Sequence, residues 1–265
     1  MIDRNDYREI TQNLREISEE ASQKVLEIYN SEFKINYKSD SSPLTLADTE
    51  SNRIICNKLK RKFKNIPIIS EENKVRNLSS DTFFLVDPLD GTKEFIARNG
   101  EFTVNIALVI KNKPKLGVIQ IPVKSTQYFT DGTYSYKYKK ALKKISSYSK
   151  NKKIRVTISR SHLDQTTKKI LDDSKKFSII KAGSSLKFCL ISEGKADIYI
   201  RNGKTMGWDI AAGIAILRNA GGSTLNFKFK EIKLNKKTFI NESFFCFREK
   251  INFNSLKSII DQYKK

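Results

Sequence analysis

Histidine occurs once in the 265 residues, tryptophan once and cysteine three times. Zinc enzymes gather His and Cys into one site, so this supply argues against zinc chemistry. Cys56, Cys189 and Cys246 lie far apart and are odd in number, which fits no disulfide framework. Cys56 and Cys189 fall in apolar helical patterns and are expected in the core. A reducing, cytoplasmic compartment suits them. No apolar run is long enough to cross a bilayer. The first six residues, Met1 to Asp6, are too charged for the apolar stretch of a signal peptide.

Acids are scarce beside bases: 29 Asp and Glu stand against 50 Lys and Arg, a net charge of +21. Such a balance suits nucleic acid, an anionic membrane surface or a polyanionic ligand. The lysines are spread along the whole chain, however, and Asn and Ile are also abundant. That pattern reads as compositional drift rather than a built patch. Lys137, Lys139, Lys140, Lys143 and Lys144 are expected on solvated faces. A hydrophobic content of 38% over this length supports a sizeable core, as one large domain or two subdomains.

The few acids there are fall at telling places. Phe83-Phe84-Leu85-Val86 reads as a strand buried on both faces. It runs into Asp87-Pro88-Leu89-Asp90-Gly91-Thr92. Pro88 has no N–H for the ladder, Gly91-Thr92 turns the chain, and Lys93-Glu94-Phe95-Ile96 can begin a short helix. Taken alone, the hexapeptide is equally a surface turn, since Asp, Pro and Gly all favour turns. Ile66 to Ile69 is a second short strand, and it too ends in acids, at Glu71-Glu72. Asp48 lies at the start of a helix that carries Ile54, Ile55, Leu59 and Phe63 inward. Asp209 opens another helix, beside the only Trp. An acid at a helix start also complements the helix dipole without further function.

Between these points the pattern is regular. Apolar steps of three and four predict a helix over residues 3–29. Residues 103–110, 116–121, 126–130 and 133–138 read as an antiparallel meander with hairpin signals at Asn112-Lys113-Pro114 and Asp131-Gly132. The Lys- and Ser-rich segment 139–153 reads as a linker or an exposed excursion, dividing a domain 1–150 from a domain 151–265. Strands at 154–158, 177–180 and 197–200 then alternate with helices from about 163 to 173 and 183 to 193. That alternation predicts a mostly parallel sheet, with polar groups collecting at the strand ends.

Glu71, Asp87, Asp90 and Asp209, with the Leu89 carbonyl, are all oxygen donors. Oxygen selects a hard cation, magnesium or manganese, and several gathered carboxylates suit two or more ions. The free N–H groups after Gly91 face the same spot and attract phosphate. An aspartyl-phosphate enzyme would need Asp-x-Asp, and the spacing here is Asp-x-x-Asp. A Cys-based phosphatase would need a Gly-rich loop and Arg after its Cys, which none of the three has.

The Asp87–Thr92 hexapeptide, the Ser70-Glu71-Glu72 step and Trp208-Asp209-Ile210-Ala211-Ala212-Gly213 together resemble the inositol monophosphatase superfamily of lithium-sensitive, magnesium-dependent phosphatases. Longer stretches resemble its CysQ branch, the 3'(2'),5'-bisphosphate nucleotidases. They are Leu85 to Ile96, Arg98 to Leu108, Ile158 to His162 and Gly183 to Cys189. The resemblance implies a layered αβαβα sandwich, antiparallel in its N-terminal half. It implies hydrolysis of adenosine 3',5'-bisphosphate, the by-product of sulfate assimilation, to AMP and phosphate by in-line attack of a metal-activated water.

By resemblance, Glu71, Asp87 and the Leu89 carbonyl hold one magnesium, and Asp87, Asp90 and Asp209 a second. Asp48 and Thr92 orient and deprotonate the water, beside a weaker third ion, and with Glu71 make up the catalytic group. The Leu89–Thr92 turn, including Asp90 and Gly91, faces the phosphate being cleaved, as does Asp209. Ser184, Lys187 and Arg201 line the nucleotide side, with Arg160 and His162 as weaker candidates. The implied partner is a small nucleotide, with no specific nucleic acid and no membrane span. A monomer or homodimer, weakly peripheral on a membrane at most, is expected. Two alternatives stay open: an inositol or sugar phosphatase of the same fold, and a basic nucleic-acid-binding protein with a vestigial site.

Overall fold

The computed structural model describes residues 2–73, 78–151, 153–161, 165–172, 177–234 and 237–262. In chain order the elements are α1 (Tyr7–Tyr29), β1 (Ile35–Tyr37), β2 (Pro43–Thr45), α2 (Leu46–Lys62), β3 (Ile68–Ser70), β4 (Phe83–Asp90), α3 (Thr92–Ile96), β5 (Thr103–Ile110), β6 (Lys113–Ile121), β7 (Thr126–Thr130), β8 (Ser135–Tyr138) and β9 (Leu142–Ile145). They continue as β10 (Arg155–Ser159), α4 (Gln165–Asp172), β11 (Ser178–Ala182), α5 (Leu186–Ser192), β12 (Ile198–Arg201), β13 (Thr205–Met206), α6 (Gly207–Asn219), β14 (Ser223–Asn226), β15 (Ile240–Asn241), β16 (Phe244–Phe247) and α7 (Phe253–Gln262).

Two main sheets give the layers. The first runs β3-β4-β5-β6-β7-β8-β9 in sequence order. Its β3–β4 pair is parallel and the rest is the expected antiparallel meander. One face carries Phe84, Val86, Val104 and Ile106 against α1 and α2, whose Leu14, Ile17, Ile55 and Leu59 fill that layer. The other face carries Phe83, Leu85, Ala107 and Ile119 against α5 and α6. The second sheet runs β11-β10-β12-β16-β14. Phe188, Ile210 and Ile214 pack on one of its faces, with Leu256, Ile259 and Ile260 of α7 on the other. The order is therefore helix, sheet, helix, sheet, helix.

Two expectations are revised. β10, β11 and β12 pair in parallel as the alternation predicts. The sheet is then completed by β16 and β14, both antiparallel, so it is mixed. Segment 139–153 is not wholly a linker, because β9 within it pairs with β8 and forms the sheet edge. Its lysines hid the strand: Leu142, Lys143 and Lys144 are all exposed, and Ile145 alone turns inward. An exposed, Lys-rich edge is a common defence against stray strand pairing.

Cys189 and Cys246 are buried. Cys56 is only half-buried, with its thiol donating to Asn52 at 3.2 Å.

Candidate active site

The site begins with an irregularity in β4. Asp87 lies opposite Asn105, and Asp90 lies opposite Thr103, so three steps on one strand match two on the other. That is a β-bulge, one extra residue that resets the alternation of side chains. Without it, Asp87 and Asp90 would project to opposite faces. With it, both face the α5–α6 side, while Leu89 joins the core under α1 and α2. Pro88 leaves no amide unpaired at the bulge. Its carbonyl accepts from Ser51 Oγ of α2 at 2.7 Å.

Three other elements bring acids to the same point. β3 is parallel to β4, and the Glu71 N–H donates to the Val86 carbonyl at 3.1 Å, which sets Glu71 beside Asp87. Asp209 sits in the first turn of α6, where it caps the helix by accepting from the Met206 N–H at 2.8 Å. Asp48 closes a capping box at α2, accepting from both the N–H and the hydroxyl of Thr45 at 2.7 Å. α6 can reach β4 because Gly117 of β6 lies under it. A Cβ there would stand 2.6 Å from the Ala212 carbonyl oxygen.

Carboxylate oxygens of Glu71, Asp87 and Asp209 all come within 4.8 Å of one another. Asp90 stands outside this close triplet. Its Oδ2 accepts from Ser185 Oγ at 2.6 Å and Asn105 Nδ2 at 3.2 Å. Burial, reinforced by the neighbouring acids, pushes the Asp87 carboxyl well up from its usual range. The same causes take Asp209 up to about 8. Burial also raises Asp90, Glu71 and Asp48. Lys38 partly compensates, reaching from the loop after β1 to Glu71 at 2.8 Å and Glu72 at 2.6 Å. Acids buried this close are costly unless a cation joins them. The donor set is all oxygen, so the arrangement fits a hard divalent ion.

Thr92 opens α3 directly after Gly91, whose φ of +93° suits glycine. Its hydroxyl donates to Asp48 Oδ1 at 3.1 Å and lies 3.4 Å from the Leu89 carbonyl. Glu71, Asp90, Gly91, Thr92 and Asp209 line a cavity of about 630 Å³, with Ser184, Lys187 and Arg201 on the wall from the second half. Lys187 is 5% exposed. It donates to the Ala182 and Ser184 carbonyls at 3.3 and 2.5 Å, and its ammonium lies 5.3 Å from the Tyr199 ring centre. Burial lowers it to about 8, although Asp90 and Glu94 nearby favour its charge. Ser184 Oγ and Arg201 Nε are buried with no hydrogen-bond partner among the described residues.

Asp87 stands in the acid triplet with Glu71 and Asp209, Asp48 meets Thr92, and the Leu89 carbonyl lies beside the Thr92 hydroxyl, while the Leu89 side chain is in the core. Arg160 is not among the residues lining the cavity. It holds Glu101 through one guanidinium edge, donating from Nε and Nη2 at 2.6 and 2.8 Å. His162 lies outside the described residues. The sequence reading missed Ser185, Asn105 and Lys38, which hold the acids from 95, 15 and 33 residues away. Nothing local marks them. A buried Asn in a strand of apolar residues was the one available hint.

The inositol monophosphatase family model matches residues 6–263. The chain belongs to the inositol monophosphatase family. Among curated members of that family, the 3'(2'),5'-bisphosphate nucleotidase CysQ of Buchnera aphidicola subsp. Acyrthosiphon pisum is 41% identical, over 91% of this chain and 95% of its own. CysQ of Salmonella typhimurium is 37% identical, over 86% and 96%. The crystal structure of CysQ from Bacteroides thetaiotaomicron superposes with a TM-score of 0.81 at 36% identity, covering 92% of this chain and 98% of that one. An inositol monophosphatase from Anabaena (Nostoc), 20% identical, gives 0.77 over 97% and 96% and supports the fold alone.

Proposed function

We propose that this chain is a magnesium-dependent 3'(2'),5'-bisphosphate nucleotidase, converting adenosine 3',5'-bisphosphate to AMP and phosphate. The reaction recycles the by-product of sulfate assimilation. The observation that carries it is one cavity with two unlike walls. Acids and the Asp48–Thr92 pair form one, and Lys187, Ser184 and Arg201 form the other. A substrate with two phosphates has use for both. Its relatives at 36–41% identity include named nucleotidases of this class.

In this reading Glu71, Asp87 and the Leu89 carbonyl would hold one magnesium, and Asp87, Asp90 and Asp209 would hold a second. Asp48 would help to hold a third, weaker ion, and manganese would substitute for magnesium. Bound divalent ions acidify water and take charge from the leaving ribose 3'-oxygen. The rest belongs to the chain. Asp48 is fixed by its two bonds from Thr45, so its Oδ1 stays aimed at Thr92. As water attacks phosphorus, its proton passes to Thr92 Oγ1 and the Thr92 proton to Asp48 Oδ1, while the bond from phosphorus to the ribose 3'-oxygen breaks and that oxygen takes a proton from solvent to leave as the 3'-hydroxyl of AMP. The N–H groups of Gly91 and Thr92 hold the phosphate in line for that attack. Lys187, Ser184 and Arg201 receive the second phosphate. Residues 1–150 supply the acid wall except for Asp209, and residues 151–265 supply Asp209 and the second wall, as separate subdomains.

No helix among the described residues is long and apolar enough to cross a membrane. We place the enzyme in the cytoplasm, as a monomer or homodimer, with peripheral contact to a membrane at most.

The test is phosphate release with magnesium from adenosine 3',5'-bisphosphate and from inositol 1-phosphate, each with and without lithium. The nucleotide is expected to be strongly preferred, with loss on chelation and on Asp90→Asn. Preference for the inositol substrate would move the substrate and keep the mechanism. Release from neither would end the enzymatic reading.

A further inference from the structure

Around the phosphate end of the cavity, two acids from the first half meet three donors from the second. Glu101, just before β5, accepts the Arg160 guanidinium bidentately and also the Gly183 N–H at 2.7 Å. Glu94 of α3 is 5% exposed and accepts from Ser161 Oγ at 2.6 Å. Gly183 immediately precedes Ser184, which is held in the left-handed region at φ 40°. The two halves meet here without slack. A Cβ on Gly183 would come within 2.7 Å of the Glu101 carbonyl oxygen and of Glu94 Cγ, and one on Gly91 would touch Ser184 Cβ at 3.2 Å.

We propose that Glu101 is a positioning residue for substrate choice: its carboxylate, oriented by Arg160, anchors the Gly183 amide and so fixes Ser184 and Lys187 opposite Gly91. The inference rests on the reading that this wall receives the second phosphate. Three observations support it. Glu101 spans the two walls with a charge-assisted bond to backbone, one of the stronger kinds. The strained Ser184 conformation persists only where its surroundings impose it, and the Gly183 anchor is the adjoining restraint. Ser184 Oγ is buried with no partner among the described residues, so its placement is spent on something that enters the cavity. Glu101 is not among the residues lining that cavity, so it acts through Gly183 rather than by touching substrate.

The experiment compares Glu101→Ala with the unaltered enzyme on adenosine 3',5'-bisphosphate and on adenosine 3'-monophosphate, which lacks the second phosphate. The unaltered enzyme should prefer the bisphosphate. If it shows no preference, the reading of the wall has failed, and this inference with it. Given the preference, Glu101→Ala should raise KM for the bisphosphate about tenfold, leave kcat within about threefold and leave the monophosphate's KM unmoved, since small misplacements of a binding wall are felt this strongly. Gly183 and Ser184 amide exchange should quicken in the same variant. Equal losses on both substrates, or an intact preference, would overturn the proposal while leaving the wall's role standing. Should Glu101→Ala not fold, Arg160→Ala keeps the amide bond but frees the carboxylate. It should lose about threefold of the preference by the same argument, and an unchanged preference would again overturn the claim.

Discussion

Single residues here depend on neighbours that hold them in one state. Asp48 spends one carboxylate oxygen on Thr45 and leaves the other for Thr92. Asp48→Asn keeps the side chain's shape and removes the proton acceptor. It should lower kcat by about a hundredfold to ten-thousandfold, the range for a lost general base. Magnesium affinity, read by calorimetry, should change far less, because the close acid triplet does not include Asp48. Lys187 makes a pH prediction. Burial depresses its pKa to about 8, so its charge is present below that pH and lost above it. The kcat/KM for the bisphosphate should therefore fall as pH rises through about 8, since that ratio reports the free enzyme. Lys187→Arg should flatten the alkaline limb, arginine remaining charged throughout. A limb unchanged by that substitution would assign it to another group.

At the scale of elements, the bulge in β4 and the close seat of α6 on β6 decide the site. Gly117→Ala places a methyl 2.6 Å from the Ala212 carbonyl. Backbone cannot yield as a flexible side chain does. Overpacking of this kind costs about 1–3 kcal/mol. The expected result is a lower midpoint in denaturant, accompanied by weaker magnesium binding as the first turn of α6 and Asp209 move off β4. A fall in stability with unaltered magnesium affinity would separate the seat of α6 from the acid cluster. The capping box at α2 and the Met206–Asp209 bond at the start of α6 serve two ends at once. Each satisfies helix N–H groups and fixes the rotamer of an acid the site needs.

Across the whole molecule the net charge is +21, and the cavity is lined by Lys38, Lys93, Lys187 and Arg201 beside its acids. A nucleotide with two phosphates would be drawn toward such a field. The apparent kcat/KM should fall about tenfold between roughly 50 and roughly 300 mM salt, as electrostatic steering is screened. A flat dependence would return the lysines to compositional drift. Several of them already have structural work: Lys137 is paired with Glu193 beneath Tyr128, and Lys144 lies over Tyr134.

The sequence by itself determined the long helices, the meander, the strands β10 to β12 and the candidate acids, though not β1, β2, β9, β13 to β16 or α7. Period-two and period-3.6 patterns are local, and so are Asp-Pro-Leu-Asp-Gly-Thr and the helix starts at Asp48 and Asp209. Each acid, read alone, was equally a turn or a cap. Tertiary structure decided which acids meet, because that depends on a one-residue bulge, a parallel β3–β4 pair and a glycine under α6, none of which announces its partner. It also decided what Arg160 does, tying to Glu101 a side chain that composition alone left free to meet a phosphate. Strand β9 was hidden because an exposed edge buries too little to show a hydrophobic pattern. Ser185, Asn105 and Lys38 were hidden because hydrogen bonds between distant residues leave no period in the chain.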